Sequence, residues 1–239
     1  MMMAGSPWCA IVLVSTLACL VLGRHAIRGL VAMRWIQPVR YQDCPPLMPI
    51  QQRKHGTPTM GGLLVLGVAI STAAGFGGLA RCEGWVVLGV IGSVGLLGFI
   101  DDALKLRRAN AGGLRSFPKL LTALAVGGMA GVMLADLSAD YRQVLVPWSG
   151  RSLDLGWAWV PFAMLVIAGC AHAVNLTDGM DGLATGCLVL AFGVLGLVAL
   201  ANPQTRGTAV WCASLAGACL GFLWFNSCPA SVFLGDVGA

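Results

Sequence analysis

The chain has 239 residues, of which 57% are hydrophobic and only 10% are charged, and its formal net charge is +5. This composition excludes a disordered chain and an ordinary soluble globular protein, and it favours a membrane protein. The basic residues are scattered between apolar runs instead of being gathered on one soluble face, so the positive charge does not indicate a nucleic-acid partner.

Seven apolar runs follow one another along the chain, separated by polar or glycine-rich connections. They cover residues 8–22, 60–80, 85–100, 119–137, 156–174, 183–201 and 208–225. A helix that crosses a bilayer needs about 20 apolar residues. The first run is shorter, but residues 23–33 could extend it. The sequence therefore predicts an all-α, polytopic transmembrane helix bundle of about seven spans, with residues 1–239 forming a single integral membrane domain.

Lysine and arginine are distributed unequally between alternate connections. Eleven of the fifteen lie in the connections after the first and third spans, and four lie in the opposite connections. Because positive charge marks the cytoplasmic side, this asymmetry predicts an external N-terminus and a cytoplasmic C-terminus. Each polar motif described below then falls on the cytoplasmic face.

The connection after the first span ends in the stretch Lys54-His-Gly-Thr-Pro-Thr-Met-Gly-Gly62. Pro58 and the glycines delay the start of the next helix until about Met60. Two interpretations are open. Backbone amides freed by this turn could face an anionic ligand beside Lys54, or the stretch could be no more than the start of a helix.

The third span runs directly into Asp101 and Asp102, and Lys105 follows three residues later. On a helix, Asp101 and Lys105 share one face, whereas Asp102 points roughly 100° away. One carboxylate could hold a metal ion while the other handles a proton or a phosphate. The next basic residues, which include Lys119, are a positive-inside signal and could also attract phosphates.

The fifth span leads into Asn-Leu-Thr-Asp-Gly-Met-Asp-Gly-Leu, residues 175–183, in which Asp178 and Asp181 are each followed by glycine. Charge at the edge of a membrane is a functional hypothesis by default. The alternative is a helix-capping aspartate and a solvated loop aspartate.

Together these motifs indicate a site rich in carboxylates and lysines at one membrane face. Carboxylates are ligands for Mg²⁺, which commonly accompanies phosphates, and no His/Cys cluster indicates zinc. The residues fit a phosphoryl-type transfer between a water-soluble nucleotide and a lipid phosphate.

The motifs resemble those of the polyprenyl-phosphate N-acetylhexosamine-1-phosphate transferases, and within them the phospho-N-acetylmuramoyl-pentapeptide-transferase branch. The resemblance is carried by the stretches 54–62, 98–105, 173–183, 222–226 and 229–236. It implies that undecaprenyl phosphate attacks UDP-MurNAc-pentapeptide, giving lipid I and UMP with Mg²⁺ in peptidoglycan synthesis. The implied location is the cytoplasmic face of a bacterial inner membrane. Membrane lipid is a further implied partner, and a homodimer is left open.

The resemblance also implies roles for individual residues. Asp236 would ligate Mg²⁺, and Asp101 and Asp102 would be the catalytic acidic pair, with Asp101 the candidate base for the lipid phosphate. Lys105 and Lys119 would meet phosphates. The nucleoside and sugar pocket would be lined by Lys54, Asn175, Asp178, Gly179, Asp181 and Phe233. In that pocket Phe233 would stack on uracil.

The sequence departs from the family pattern at several places, which include residue 172 and the number of spans. His172 stands where the family commonly has asparagine, and we favour a packed polar residue there over a ligand. The family pattern has ten spans, so we expect the last three to be missing here and the 239-residue chain by itself to release little UMP. Two alternatives stay open: a transferase of the same superfamily that uses UDP-GlcNAc, and a non-catalytic membrane protein that binds nucleotide or lipid.

Overall fold

The computed structural model describes residues 6–36, 56–108, 113–146, 150–201 and 205–238. This part of the chain contains seven α-helices: α1 (Ser6–Ala32), α2 (Gly62–Gly75), α3 (Cys82–Arg108), α4 (Ser116–Leu137), α5 (Trp159–Thr177), α6 (Leu183–Leu200) and α7 (Arg206–Asn226). All except α2 are long and apolar enough to cross a membrane. The predicted all-α, multi-pass membrane bundle is confirmed.

The second helix differs from the predicted span at residues 60–80. It has only 14 residues, about 21 Å at 1.5 Å per residue, which falls short of a hydrocarbon core about 30 Å thick. Residues 76–81 form turns in place of further helix. The indole N–H of Trp211 on α7 donates a hydrogen bond to the Gly78 carbonyl in these turns, at 3.0 Å. Packing against α7 therefore gives this backbone carbonyl a hydrogen-bond partner that lipid could not supply.

The connection between α4 and α5 also contains structure that the hydropathy pattern did not predict. Strands β1 (Gln143–Leu145) and β2 (Ser152–Asp154) form an antiparallel pair, with Val144 opposite Leu153. Short 3₁₀ turns precede and follow this pair. At the same end of the bundle, the Tyr141 hydroxyl donates to the Glu83 carboxylate at 2.5 Å, which ties this connection to the start of α3.

Helix α7 is the most buried helix of the bundle and packs against α1, α2 and α6. Its buried face consists largely of alanine, glycine, cysteine and serine, small residues that allow helices in lipid to approach closely. At Gly217, a Cβ atom would lie 2.4 Å from the Val12 carbonyl of α1. The Thr16 hydroxyl donates to the Gly217 carbonyl at 3.0 Å, so the two backbones meet directly.

Helices α4 and α5 form a second close pair, and α3 lies beside α4. On α4, a Cβ atom at Gly127 would lie 2.8 Å from the Cα atom of Met164 on α5. The Trp159 indole donates to the Gly131 carbonyl at 2.9 Å. The segment after α7, residues 227–238, reaches from the end of α7 to α3 and α4, and its contacts with them build the candidate site.

A substitution tests the close contact between α1 and α7. Gly217→Ala should lower the thermal unfolding midpoint in detergent, because overpacking of a filled contact costs about 1–3 kcal/mol. Gly193→Ala on α6 is the matched control, since no atom lies within 4 Å of its added methyl group, and alanine favours helix over glycine. Equal midpoints for the two variants would contradict the contact.

Candidate functional site

Three carboxylates meet at one end of the bundle, which we call the site end. Asp101 and Asp102 lie near the end of α3, and Asp236 lies in the segment after α7. Asp101 and Asp102 are only 1% and 3% exposed. The predicted acidic pair and the predicted metal ligand are therefore brought together across more than 130 positions of sequence.

Two glycines let the Asp236 segment approach α3 closely. Gly98 faces this segment, and a Cβ atom there would lie 2.0 Å from the Asp236 carbonyl oxygen. Gly235 has a φ of +74°, and a Cβ atom there would lie 2.7 Å from Asp102 Oδ2. The backbone N–H of Val237 donates to the same Asp102 oxygen at 3.4 Å. Side chains at either glycine would push the carboxylates apart.

The same segment pairs on its other side with the start of α2. The N–H groups of Gly61 and Gly62 donate to the carbonyls of Phe233 and Leu234 at 2.9 and 2.8 Å, and the Phe233 N–H donates to the Pro58 carbonyl at 2.9 Å. These two glycine amides therefore hold protein, and the interpretation in which freed amides of this turn face an anion is wrong for them. Lys54, predicted beside the turn, lies outside the described residues.

Two lysines compensate the buried carboxylates. Lys105 Nζ lies 2.6 Å from Asp101 Oδ2, 2.9 Å from Asp236 Oδ2 and 3.5 Å from Asp102 Oδ1. Lys119 Nζ, from the first turns of α4, lies 3.1 Å from Asp101 Oδ2 and also pairs with Asp236 Oδ2. The shared face predicted for Asp101 and Lys105 is confirmed, and Lys119 joins it from a neighbouring helix.

The electrostatics of the cluster favour an ionised carboxylate at Asp236. Burial of the Asp236 carboxyl acts to raise its pKa, but its hydrogen bond with Asp101 and the ammonium groups of Lys105 and Lys119 outweigh burial and hold the pKa below its usual range. The second Asp101 oxygen, Oδ1, accepts the Leu114 N–H at 2.5 Å.

The cluster has the donor set that a hard divalent cation requires. Asp101, Asp102 and Asp236 each offer one oxygen, and the three oxygens lie within 4.8 Å of one another. Carboxylate oxygens in this number suit Mg²⁺, which usually completes its octahedron with water and substrate phosphate oxygens. The residues present therefore fit such an ion, although ammonium groups lie against the same oxygens.

A cleft of about 250 Å³ opens beside the cluster, between α3, α4 and α5. Its polar residues are Ser116, Lys119, His172, Asn175 and Asp236. The remaining wall is apolar and is formed by Val94, Leu97, Gly98, Ala123, Ala171 and Leu176. A charged group can therefore reach Lys119 and Asp236 while an apolar chain lies against the rest of the wall.

The predicted nucleoside residues lie at the same end of the bundle. Asn175 lines the cleft, and Asp178 and Gly179 follow in the turn between α5 and α6. Asp181 Oδ2 accepts the Ala230 N–H at 3.3 Å, which joins this turn to the segment that carries Phe233 and Asp236. Phe233 is half-buried in that segment.

The structure also shows two residues whose roles the sequence left open or missed. His172 lines the cleft, and its Nδ1 pairs with the Ala168 carbonyl at 2.8 Å within α5, as a packed polar residue would. The side chain of Asn226, at the end of α7, is buried and contacts the start of α6. In the sequence, the one signal for Asn226 was its place at the end of the family-like stretch 222–226.

Two parts of the chain match known protein families. Residues 84–239 match the family described as Glycosyl transferase family 4, and residues 54–66 match the Phospho-N-acetylmuramoyl-pentapeptide-transferase signature 1.

Three curated relatives are each named phospho-N-acetylmuramoyl-pentapeptide-transferase. The protein from Maridesulfovibrio salexigens is 38% identical over 233 residues, covering 89% of this chain and 64% of the relative. The protein from Anaplasma marginale is 36% identical over 227 residues, covering 90% and 65%. The protein from Thermodesulfovibrio yellowstonii is 41% identical over 204 residues, covering 78% and 56%. The chain thus spans less than two thirds of the length of these relatives.

Removal of one ammonium group tests whether the lysines and a cation compete for the same oxygens. Lys119→Met should raise the affinity for Mn²⁺ by at least about tenfold, since a charge 4 Å away in a partly buried site interacts by up to about 4 kcal/mol. Arg115→Met is the control, because it removes one exposed positive charge near the start of the same helix. Electron paramagnetic resonance of free Mn²⁺ measures both. Unchanged or weaker binding by Lys119→Met would contradict the competition.

Proposed function

The chain belongs to glycosyl transferase family 4, and on that premise we propose that the protein transfers phospho-MurNAc-pentapeptide from UDP-MurNAc-pentapeptide to undecaprenyl phosphate. The products would be lipid I and UMP. The observation that carries this proposal is the convergence of two buried carboxylates, one half-buried carboxylate and two lysines beside a cleft with an apolar wall. The signature matched at residues 54–66 supports the muramoyl-pentapeptide substrate over UDP-GlcNAc.

The cleft suits the acceptor. A phosphate group at Lys119 and Ser116 would lie at the site end, and the prenyl chain would lie along the apolar wall formed by residues such as Val94 and Leu97. Because the cleft lies between helices that are long enough to cross a membrane, a lipid could reach it from the bilayer. This arrangement would place a membrane-bound phosphate beside a water-soluble nucleotide.

The bonds formed and broken in this transfer indicate roles for charged groups of the cluster. An oxygen of undecaprenyl phosphate would attack the sugar-linked phosphorus of the nucleotide, and the bond from that phosphorus to UMP would break. We propose that Asp236 holds Mg²⁺, which would neutralise the pyrophosphate charge and stabilise UMP as it leaves. The ammonium groups of Lys105 and Lys119 would then bind phosphate oxygens, as electrostatic stabilisation of a phosphoryl transfer requires.

Asp101 is the proposed base for the lipid phosphate. Its Oδ2 lies 2.6 Å from Lys105 Nζ and 3.1 Å from Lys119 Nζ. Movement of these ammonium groups toward substrate phosphates would free that oxygen to accept a proton. The proposed pocket for uracil and sugar consists of Lys54, Asn175, Asp178, Gly179, Asp181 and Phe233.

The proposed orientation is the one that the Lys/Arg asymmetry favours, with the site end in the cytoplasm of a bacterium. Nucleotide sugars are water-soluble, so a site at this end meets its donor without transport across the membrane. The segment after α7 contacts Pro58 through Phe233, Lys119 through Asp236 and Asp181 through Ala230. These contacts support one shared face for the motifs.

A side-by-side assay tests the proposed function. Fused to the three further spans of the family pattern, the protein in its membrane should release UMP from UDP-MurNAc-pentapeptide when undecaprenyl phosphate and Mg²⁺ are present, and removal of Mg²⁺ with a chelator should abolish the release. UDP-GlcNAc in place of the donor should give little release. Faster release from UDP-GlcNAc would favour the other branch of the superfamily, and no release from either would favour a binding protein.

Substitution of one member of the acidic pair tests the role of Asp101. Asp101→Asn should reduce turnover by about 10² or more while donor binding persists, as the loss of a general base predicts. Asp154→Asn is a control, because Asp154 is exposed and its carboxylate accepts only a local bond, from the Gly156 N–H, among the hydrogen bonds seen here. Near-normal turnover in Asp101→Asn would leave Asp101 a structural role alone.

A further inference from the structure

Asn226, the last residue of α7, is 2% exposed and makes three hydrogen bonds through its side chain. Its Oδ1 accepts the Thr185 hydroxyl at 2.8 Å and the Gly182 N–H at 3.2 Å. Its Nδ2 donates to the Val232 carbonyl at 3.0 Å. One buried amide therefore joins the end of α7, the start of α6 and the segment after α7.

Two of the three partners of this amide, Gly182 and Val232, lead to two different parts of the site. Gly182 directly follows Asp181, at the end of the turn proposed to hold the nucleoside. Val232 directly precedes Phe233 and lies four residues before Asp236. The Ala230 N–H bond to Asp181 is a second link between the same turn and segment. These bonds therefore contribute to the separation of the two parts.

An amide satisfies this position without a buried unpaired group. The Gly182 N–H and the Thr185 hydroxyl need an acceptor, whereas the Val232 carbonyl needs a donor, and an Asn side chain carries both at its tip. Loss of one partner of a buried hydrogen bond leaves the other unsatisfied, which costs more than the bond contributes. The chemistry of the three partners therefore selects asparagine.

We propose that Asn226 is a positioning residue that holds the Asp181–Gly182 turn and the 232–236 segment in one arrangement. It touches neither donor nor acceptor, and it acts by keeping Phe233 and Asp236 at a fixed position relative to the nucleoside turn. This inference rests on the proposed function, because that function supplies the two ligands, a uridine nucleotide and a divalent cation.

The test measures the two ligands separately, with probes that cannot touch each other. Uridine carries no phosphate, so it cannot bridge to a cation, and Mn²⁺ reports on the carboxylates. Asn226→Asp keeps the accepting oxygen for Gly182 and Thr185 but replaces the Nδ2 donor to Val232 with a second acceptor. Thr185→Val is the matched control, since it removes one bond of the same buried cluster but leaves the bond to Val232 intact.

At a temperature well below both unfolding midpoints, Asn226→Asp should weaken Mn²⁺ and uridine binding by about tenfold or more, as loss of an outer-shell partner does at metal sites. Thr185→Val should bind both probes within about threefold of wild type. A tenfold loss, by comparison, corresponds to about 1.4 kcal/mol of binding free energy. A merely structural role would lower the two midpoints alike and leave the affinities of the folded protein unchanged. Asn226→Ser is measured in parallel, because a buried aspartic acid that stays protonated could still donate to Val232, whereas serine is too short to bridge both partners.

The outcomes separate this inference from the proposed function. Wild-type affinities in both Asn226→Asp and Asn226→Ser, or losses in Asn226→Ser equal to those in Thr185→Val, would overturn the positioning role and leave the proposed function standing. A wild-type protein that binds neither Mn²⁺ nor uridine would overturn the proposed function, and the inference with it.

Discussion

Docking of the segment after α7 against α3 is the contact on which the candidate site depends. This segment pairs with the start of α2 through backbone hydrogen bonds and lies against Gly98 of α3. Glycine is needed at Gly235 because the backbone there has a φ of +74° and approaches the Asp102 carboxylate. Without this docking, Asp236 would have no reason to lie beside Asp101 and Asp102, and the cluster would lack its third carboxylate.

The charge balance of the cluster makes a purely structural explanation unattractive. Removing charges from water costs several kcal/mol per ion, and a buried pair offsets that cost only with good geometry. A bundle of this kind could be held together by apolar and small residues alone, as α7 and α1 show. Five charged groups at one end of it therefore need a functional reason, and exchange of ammonium groups for a cation and phosphates provides one.

The packing of the bundle explains how a membrane protein can carry this cluster. Helix α7 is buried among α1, α2 and α6, so its end is a rigid base for Asn226 and for the segment that follows. The separate α4–α5 pair brings Lys119 and the cleft wall from the other side. The site thus lies where two groups of helices meet, a common position for ligand sites between helices of a bundle.

The sequence by itself determined that the chain forms membrane-spanning helices, because a bilayer demands apolar stretches of defined length. It also indicated the function class of the protein, because its motifs recur in a family. It predicted the acidic pair, Asp236 and both lysines as site residues, and the alternation of spans placed their motifs at one end. Only the tertiary structure decided that α2 is short, that the amides of Gly61 and Gly62 bind protein, and that Asn226 joins the two halves of the site. Each of these depends on contacts between residues that are distant in the chain or at the ends of different elements, and local periodicity carries no information about such contacts.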